Sequence, residues 1–311
     1  MMTGYFTHAD CRLHDMGRGH PECPQRLDAI EDLLLAKGLD VGLDRREAPL
    51  ARESDLALAH HLGYIKELTD FMANVRDSGE LRALDPDTWV NPHTLQAALR
   101  SAGAAVAATD AVVDGQLRNA FCAVRPPGHH ATRDKSMGFC FFNNVAIAAR
   151  HALDVRGLSR VAVVDFDVHH GNGTEDILAG DDRVLMVSFF QHPLFPYEGA
   201  TSSDENMVNL PVPAYTKGAD IRTLIEQVWW PRLEAFRPEM IFVSAGFDAH
   251  REDDLGQLGL VEADYEWITQ GLMAVADRHA QGRIVSCLEG GYNLQALARS
   301  AGVHIRTLAG I

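Results

Sequence analysis

Basic residues are scarce in this chain: 28 Lys and Arg stand against 43 Asp and Glu, a formal net charge of −15. A chain this acidic has no basic stripe for a phosphate backbone, so no nucleic-acid partner is expected. No run approaches the ~20 apolar residues of a membrane-crossing helix, so no membrane partner is expected either. The opening residues, MMTGYFTHADCRLHD, show no basic stretch leading into an apolar core, and no secretory leader is expected. Only five cysteines occur, Cys11, Cys23, Cys122, Cys140 and Cys287, odd in number and without paired spacing. They read as reduced thiols and point to the cytoplasm, not to a disulfide framework or a cysteine zinc site. Internal repeats, low-complexity tracts and linker-like segments are absent as well, so residues 1–311 read as one domain. With 46% hydrophobic and 23% charged residues, that domain has enough apolar surface to fold.

What is present is an alternation. Short apolar runs rich in β-branched residues occur at Ala120–Val124, Val161–Phe166, Val184–Phe189, Met240–Ala245 and Arg283–Leu288. Each is nearly continuous in apolar character, as a strand covered on both faces should be. Helical patterns lie between them, at Thr94–Val113, entered by Pro92, and at Asp264–Ala280. The expectation is an α/β fold, a mostly parallel multi-stranded sheet with helices on both faces. Two long stretches, Arg125–Phe142 and Gln191–Pro213, read as functional loops. RPPGHH follows the first run, DVHHGNG the second, GFD the fourth and EGGY the fifth. Ligands of open parallel sheets bind outside the carboxyl ends of the strands, so four segments are expected to converge there.

The segment Asp165-Phe-Asp167-Val-His169-His170-Gly-Asn172-Gly carries the most chemistry. In extended backbone, residues two apart share a face, so Asp165, Asp167 and His169 are expected to point the same way. Two carboxylates and an imidazole gathered there call for a cation, since Asp and His are oxygen and nitrogen ligands of divalent metals. Asp248 supplies a third ligand, which leaves room for water and substrate, the catalytic pattern. The structural alternative is that Asp165 and Asp167 cap the following helix. His129 and His130 sit on a proline-stiffened loop and suit proton transfer near neutral pH. Tyr292 after two glycines could donate to a developing oxyanion or could simply pack in the core. His14, His20, Cys11 and Cys23 match no zinc spacing and read as structural or rim-forming. His250 reads as a polar rim residue.

Taken together, RPPGHH, GFCFFNN, DFDVHHGNGT, SAGFDAH and LEGGY resemble the histone deacetylase and acetylpolyamine amidohydrolase superfamily. The likeness runs from His20 to Tyr292, and Asn172 in DVHHGNGT resembles the class II branch. The resemblance implies the arginase/deacetylase fold and a hydrolase of acyl-amines that works by metal-activated water. It implies one Zn²⁺ on Asp167, His169 and Asp248, although so oxygen-rich a set also suits Fe²⁺ or Co²⁺. It further implies His130 as general base and then acid, and His129 as its electrostatic partner, oriented by Asp165. Asn172 would stand behind His130, and Tyr292 would complete the oxyanion clamp. Gly138 would offer its carbonyl to the substrate amide, Phe139 and Phe195 would wall a narrow channel, and Asp87 would anchor substrate at the rim. A potassium ion would use Asp165, Asp167, His169, Ser188 and Phe189, and a second would use carbonyls in the Asp176–Val184 region.

Two-manganese relatives of the arginase type need a further carboxylate two residues after the histidine of DxH and a later DxD. Here those places hold Gly171 and Asp248-Ala-His250, which favours one ion. Leu255 stands seven residues beyond Asp248, where one polyamine-specific lineage carries a glutamate. The expected substrate is therefore an acyl-lysine peptide or protein, with an acetylpolyamine as the alternative; Asp253 and Asp254 keep a small cationic amine open. A reading of another class is a catalytically silent acyl-amine binding protein.

Overall fold

A computed structural model describes all 311 residues. The five apolar runs are strands, with ends moved by at most two residues: β5 (Asn119–Cys122), β6 (Val161–Asp165), β7 (Val184–Gln191), β9 (Met240–Ala245) and β10 (Ile284–Leu288). Five more join them: β1 (Thr3–Thr7), β2 (Leu43–Glu47), β3 (Arg82–Ala83), β4 (Trp89–Val90) and β8 (Met207–Val212). Strands β3 and β4 form a small antiparallel hairpin. The other eight form one sheet in the order β2-β1-β5-β10-β9-β6-β7-β8, and every neighbouring pair is parallel.

Strands β1, β2 and β8 were not anticipated, and composition explains why. β2 reads LDRRE and is exposed at alternate positions, because it is an edge with one wet face. β8 lies inside the stretch Gln191–Pro213 that reads as loop. It carries Asn209 and Pro211, and a proline is tolerated only at a sheet edge.

Helices cover both faces. Thr94–Val113 and Asn144–Arg150 pack together on one side, while Gln25–Ala36, Glu262–His279 and Leu294–Ala309 pack together on the other. Thr94–Val113 keeps its predicted bounds; its alanine-rich face is buried and lets the helix lie close to the sheet. Glu262–His279 begins two residues earlier than the apolar pattern suggests, because Asp264 reaches back to accept the amide of Val261 at 2.9 Å.

The four strands that precede the chemistry-bearing segments, β5, β10, β9 and β6, are consecutive in the sheet. Their carboxyl ends therefore open side by side. Beneath them lies a wholly buried ionic cluster. The Arg125 guanidinium grips both oxygens of Glu22 (2.5 and 2.6 Å) and donates to the carbonyls of Cys11 and His14 (2.8 and 3.0 Å). Arg26 Nη1 adds a bond of 3.1 Å to Glu22, and His14 Nε2 lies 3.5 Å away. The N-terminal segment is thereby tied under the RPPGHH loop.

Burial by itself would raise the Glu22 carboxyl; Arg125, His14 and Arg26 together outweigh burial and hold it at about 2. Burial pushes His14 down to about 3. Both values lie below those of the unfolded chain, so both groups contribute stability that acid removes. His14 loses its share from the ordinary histidine range downward, and Glu22 from about 4.5 towards 2. The stability of the wild type relative to a His14→Gln variant, read from urea midpoints, is expected to fall from pH 7 to pH 4, because only the wild type must keep a buried histidine neutral. At pH 7, Glu22→Gln is expected to cost about 3–5 kcal/mol, because it strands Arg125 as an unpaired buried charge. A difference between wild type and His14→Gln that is flat over this range would contradict the assignment.

Candidate active site

Strand β6 stops at Asp165, and the backbone then curls. The Asp167 amide donates to Asp165 Oδ1 (3.0 Å) and the His169 amide to Asp167 Oδ1 (2.8 Å), two successive aspartate turns. This local bonding overturns the expectation that Asp165, Asp167 and His169 share one face. Asp165 turns to His129, with Oδ2 2.9 Å from Nδ1. Asp167 and His169 meet Asp248 from the end of β9 instead, and the donor atoms of these three lie within 4.8 Å of one another.

The triad has the marks of a cation cradle. His169 Nδ1 lies 3.0 Å from Asp167 Oδ1 and 3.2 Å from Asp248 Oδ2, yet an imidazole nitrogen has one hydrogen to give. Asp248 Oδ2 is left buried without a hydrogen-bond donor. Other oxygens of the two carboxylates are spoken for: Val168 N donates to Asp248 Oδ1 and Gly290 N to Asp167 Oδ2, both at 2.8 Å. Burial and repulsion from Asp167 push Asp248 up to about 7. Burial would lower His169, but bonding to Asp167 and Asp248 raises it to about 10. Both shifts express a shortage of positive charge that a divalent ion would meet. Side-chain-free positions make room: a Cβ on Gly246 would strike the Asp167 carboxylate, and one on Gly290 would strike those of Asp248 and Asp167.

The two histidines of RPPGHH lie with ring centroids 4.0 Å apart but differ in charge. Burial would lower His129, but Asp167 and Asp165 raise it to about 10, so it is protonated. Burial and the charges of His129 and His169 hold His130 well below the ordinary histidine value, so it is neutral. His130 Nδ1 faces Asn172 Oδ1 at 2.8 Å. A carboxamide oxygen only accepts, so Nδ1 carries the hydrogen and Nε2 keeps its lone pair. Glu289 supports the loop from below, accepting the amides of Gly128 and His129 at 2.7 and 3.1 Å.

A channel of about 230 Å³ leads to this cluster, and it is lined by Gly138, Phe139, Phe195, Asp87 and Leu255 together with His130, His169 and Tyr292. Sequence reasoning missed Leu194 and Tyr197, which share the lining. Phe195 stands edge-on to His130 (5.1 Å between centroids) and Phe139 edge-on to Tyr292 (5.9 Å). Phe139 and Tyr197 hold left-handed backbone, with φ of 68° and 66°. Strain of this kind gathers where a wall must be aimed. At the rim, Thr88 Oγ1 donates to Asp87 and accepts the Phe139 amide, which joins hairpin to wall.

Other expectations change. His250 is fully buried, accepts the Glu252 amide on Nδ1 and bridges to Leu260, so it is no rim residue. His14 belongs to the Glu22 cluster, while His20 packs on Phe139 at 4.7 Å and is rim-forming. Asp253 is buried and bonded to backbone amides, which leaves only Asp254 of that pair exposed. The carbonyls of Leu178, Asp181 and Val184, in the region considered for a second potassium ion, all face Asn206 Nδ2 at 3.1–3.2 Å, whose two hydrogens serve at most two of them. Arg26 was overlooked: it donates to the carbonyls of Gly291 (2.6 Å) and Glu289 (2.5 Å), and its guanidinium lies 5.0 Å from the Tyr292 ring centre.

Residues 20–308 match the model of the histone deacetylase domain family. A histone deacetylase-like amidohydrolase of Pseudomonas aeruginosa is 40% identical over 282 residues, covering 88% of this chain and 73% of that protein. Polyamine deacetylase HDAC10 of Mus musculus is 38% identical, covering 93% of this chain and 45% of its own length. The crystal structure of the HDA15 HD domain superposes with a TM-score of 0.92 at 32% identity, covering all of this chain and 89% of that one.

Gly290→Ala is expected to weaken divalent-ion binding by roughly tenfold or more, since it displaces both carboxylates. Calorimetric titration with zinc on folded protein measures this. Unchanged affinity would place the ion elsewhere.

Proposed function

The chain belongs to the histone deacetylase family, and on that premise we propose that it is a zinc-dependent deacylase of lysine-type amines. The observation that carries the reading is a three-donor cradle beside one neutral and one protonated histidine, at the closed end of a channel that also holds Tyr292. Asp167, His169 and Asp248 would hold one zinc ion. A bound zinc ion supplies Lewis acidity towards the amide carbonyl and makes a nearby water more acidic.

The protein's own groups do the rest. The acylated side chain enters between Phe139 and Phe195, with Leu255 and Asp87 nearer the mouth. The Gly138 carbonyl would accept the substrate amide N–H. Water attacks the carbonyl carbon as Nε2 of His130 takes its proton; Tyr292 donates to the oxygen that gains charge. His130 then passes that proton to the amine nitrogen as the C–N bond breaks, which gives the amine and a carboxylic acid; the acid's remaining proton goes to the amine or to solvent, leaving a carboxylate and an ammonium. His129, protonated and held by Asp165, stabilises the developing negative charge and keeps His130 from charging early.

A potassium ion on Asp165, Asp167, His169, Ser188 and Phe189 belongs to the same proposal; its support is that Asp165 and Ser188 lie opposite one another in register across β6 and β7. A cytoplasmic location is likewise proposed on the five free thiols. The second reading is an acetylpolyamine amidohydrolase, favoured by the likeness to a protein named polyamine deacetylase. Against it, Asp87 is the one carboxylate that lines the channel, while Asp253 spends both oxygens on amides.

With zinc-loaded protein, kcat/KM for an acetyl-lysine peptide is expected to exceed that for acetylputrescine and acetylspermidine. The reverse order rejects lysine as the substrate, and no hydrolysis of any acyl-amine favours a silent binding protein. His130→Ala is expected to lower kcat by about 10²–10⁴ with zinc still near one per chain. Two manganese ions per chain would overturn the one-ion site.

A further inference from the structure

The turn after Asp248 runs to Leu255 at the channel mouth, and one carboxylate in it joins three parts of the site. Asp253 is buried. Its Oδ2 accepts the amides of Tyr292 (2.6 Å) and Asn293 (2.9 Å), and its Oδ1 accepts the amide of Leu255 (3.0 Å). Its own amide donates to the His250 carbonyl at 2.9 Å, which closes the turn that starts at the ligand Asp248. No Lys, Arg or His forms an ion pair with it. Three N–H groups, two of them at the start of the helix Leu294–Ala309, take the place of a counter-ion.

We propose that Asp253 is a positioning residue of the reaction: it fixes Tyr292 against the mouth residue Leu255, and so sets both where the phenol meets the substrate oxygen and how wide the entrance stands. This rests on the proposed role of Tyr292. The geometry makes the carboxylate specific. Glycines at 290 and 291 leave no side chain on the two residues before Tyr292, so its aim comes from bonds to the backbone around it. From one side these are the Arg26 bonds to the carbonyls of Glu289 and Gly291; from the other they are the Asp253 bonds to the amides of Tyr292 and Asn293. Removing Asp253 releases the amide half of that grip without touching a metal ligand, a histidine or the phenol.

The two oxygens predict a graded response. An asparagine can keep its oxygen on the Tyr292 and Asn293 amides and turn its NH₂ towards Leu255, so Asp253→Asn holds Tyr292 but frees the mouth. Alanine frees both. In Asp253→Ala, kcat is expected to fall on the order of ten- to a hundredfold, as a small misplacement of a reacting group costs, with KM little changed and zinc content near one per chain. In Asp253→Asn, kcat stays within a few-fold while KM for an acetyl-lysine peptide rises. In a Tyr292→Phe background, Asp253→Ala should lower kcat by no more than about twofold, because coupled groups are not additive.

Asp253→Ala with full kcat overturns the proposal, as does a loss that multiplies with that of Tyr292→Phe. Should the alanine variant not fold, Asp253→Asn carries the test, and a fall in kcat at constant KM overturns it. Tyr292→Phe separates the two readings: if it alone leaves turnover intact, the role of Tyr292 fails regardless of Asp253.

Discussion

Positive charge has to reach the carboxyl ends of β6, β9 and β10, because Asp165, Asp167 and Asp248 meet there out of contact with water. An isolated buried carboxylate costs many kcal/mol unless it is paired, bonded or neutralised. Protonated His129 serves Asp165 and comes within 3.8 Å of Asp167. The amides of Asp167, Val168, His169 and Gly290 bind most of the remaining oxygens. One oxygen of Asp248 is still left over, and its neighbour His169 is asked to serve two acids at once. Much else in the chain follows from that deficit. Two glycines let backbone approach the carboxylates, and a fully parallel sheet brings four strand ends to one crevice.

Division of labour between the two adjacent histidines comes from their partners. His129 bonds to a carboxylate and His130 to a carboxamide. A carboxylate stabilises the imidazolium, whereas a carboxamide fixes the tautomer with little pull on the proton. Side by side at 4.0 Å, the charged ring further depresses its neighbour. Asn172 therefore does more than orient His130. Together with His129 it keeps the Nε2 lone pair free, which is what a group that must first accept and then return a proton requires.

The central strands were legible because a strand covered on both faces has to be apolar throughout, as VAVVD and MIFVSA are. The edges were not, because β2 and β8 carry a wet face and, in β8, a proline. The triad could be read from its place after strands and the channel residues only from the family resemblance, and the structure brings Asp167, His169, Asp248, His130 and Tyr292 into one cleft. What stayed hidden is the scaffolding. Glu22 meets Arg125 across 103 positions, and Arg26 meets Gly291 across 265. In sequence such residues look like surface charge, and only the fold pairs them. Asp165 was misplaced for a local reason: hydrogen bonds from the amides two residues on replaced the extended backbone that the i, i+2 argument assumed.

The chain's acidity is therefore a poor guide to what it binds. Of the acids around the cleft, Asp167 and Asp248 belong to the cradle, Asp165 is paired with His129 and Asp253 is satisfied by three amides. Burial and neighbouring Asp85 raise the carboxyl of Asp87 above the usual carboxylate range. Along the channel itself the walls are Phe139, Phe195, Leu194 and Leu255. Such walls reward burial of a bare alkyl chain and give a second ammonium no partner to replace its water. The net charge of −15 sits mostly elsewhere, on surface acids, while six of the ten residues that line this short passage are hydrophobic.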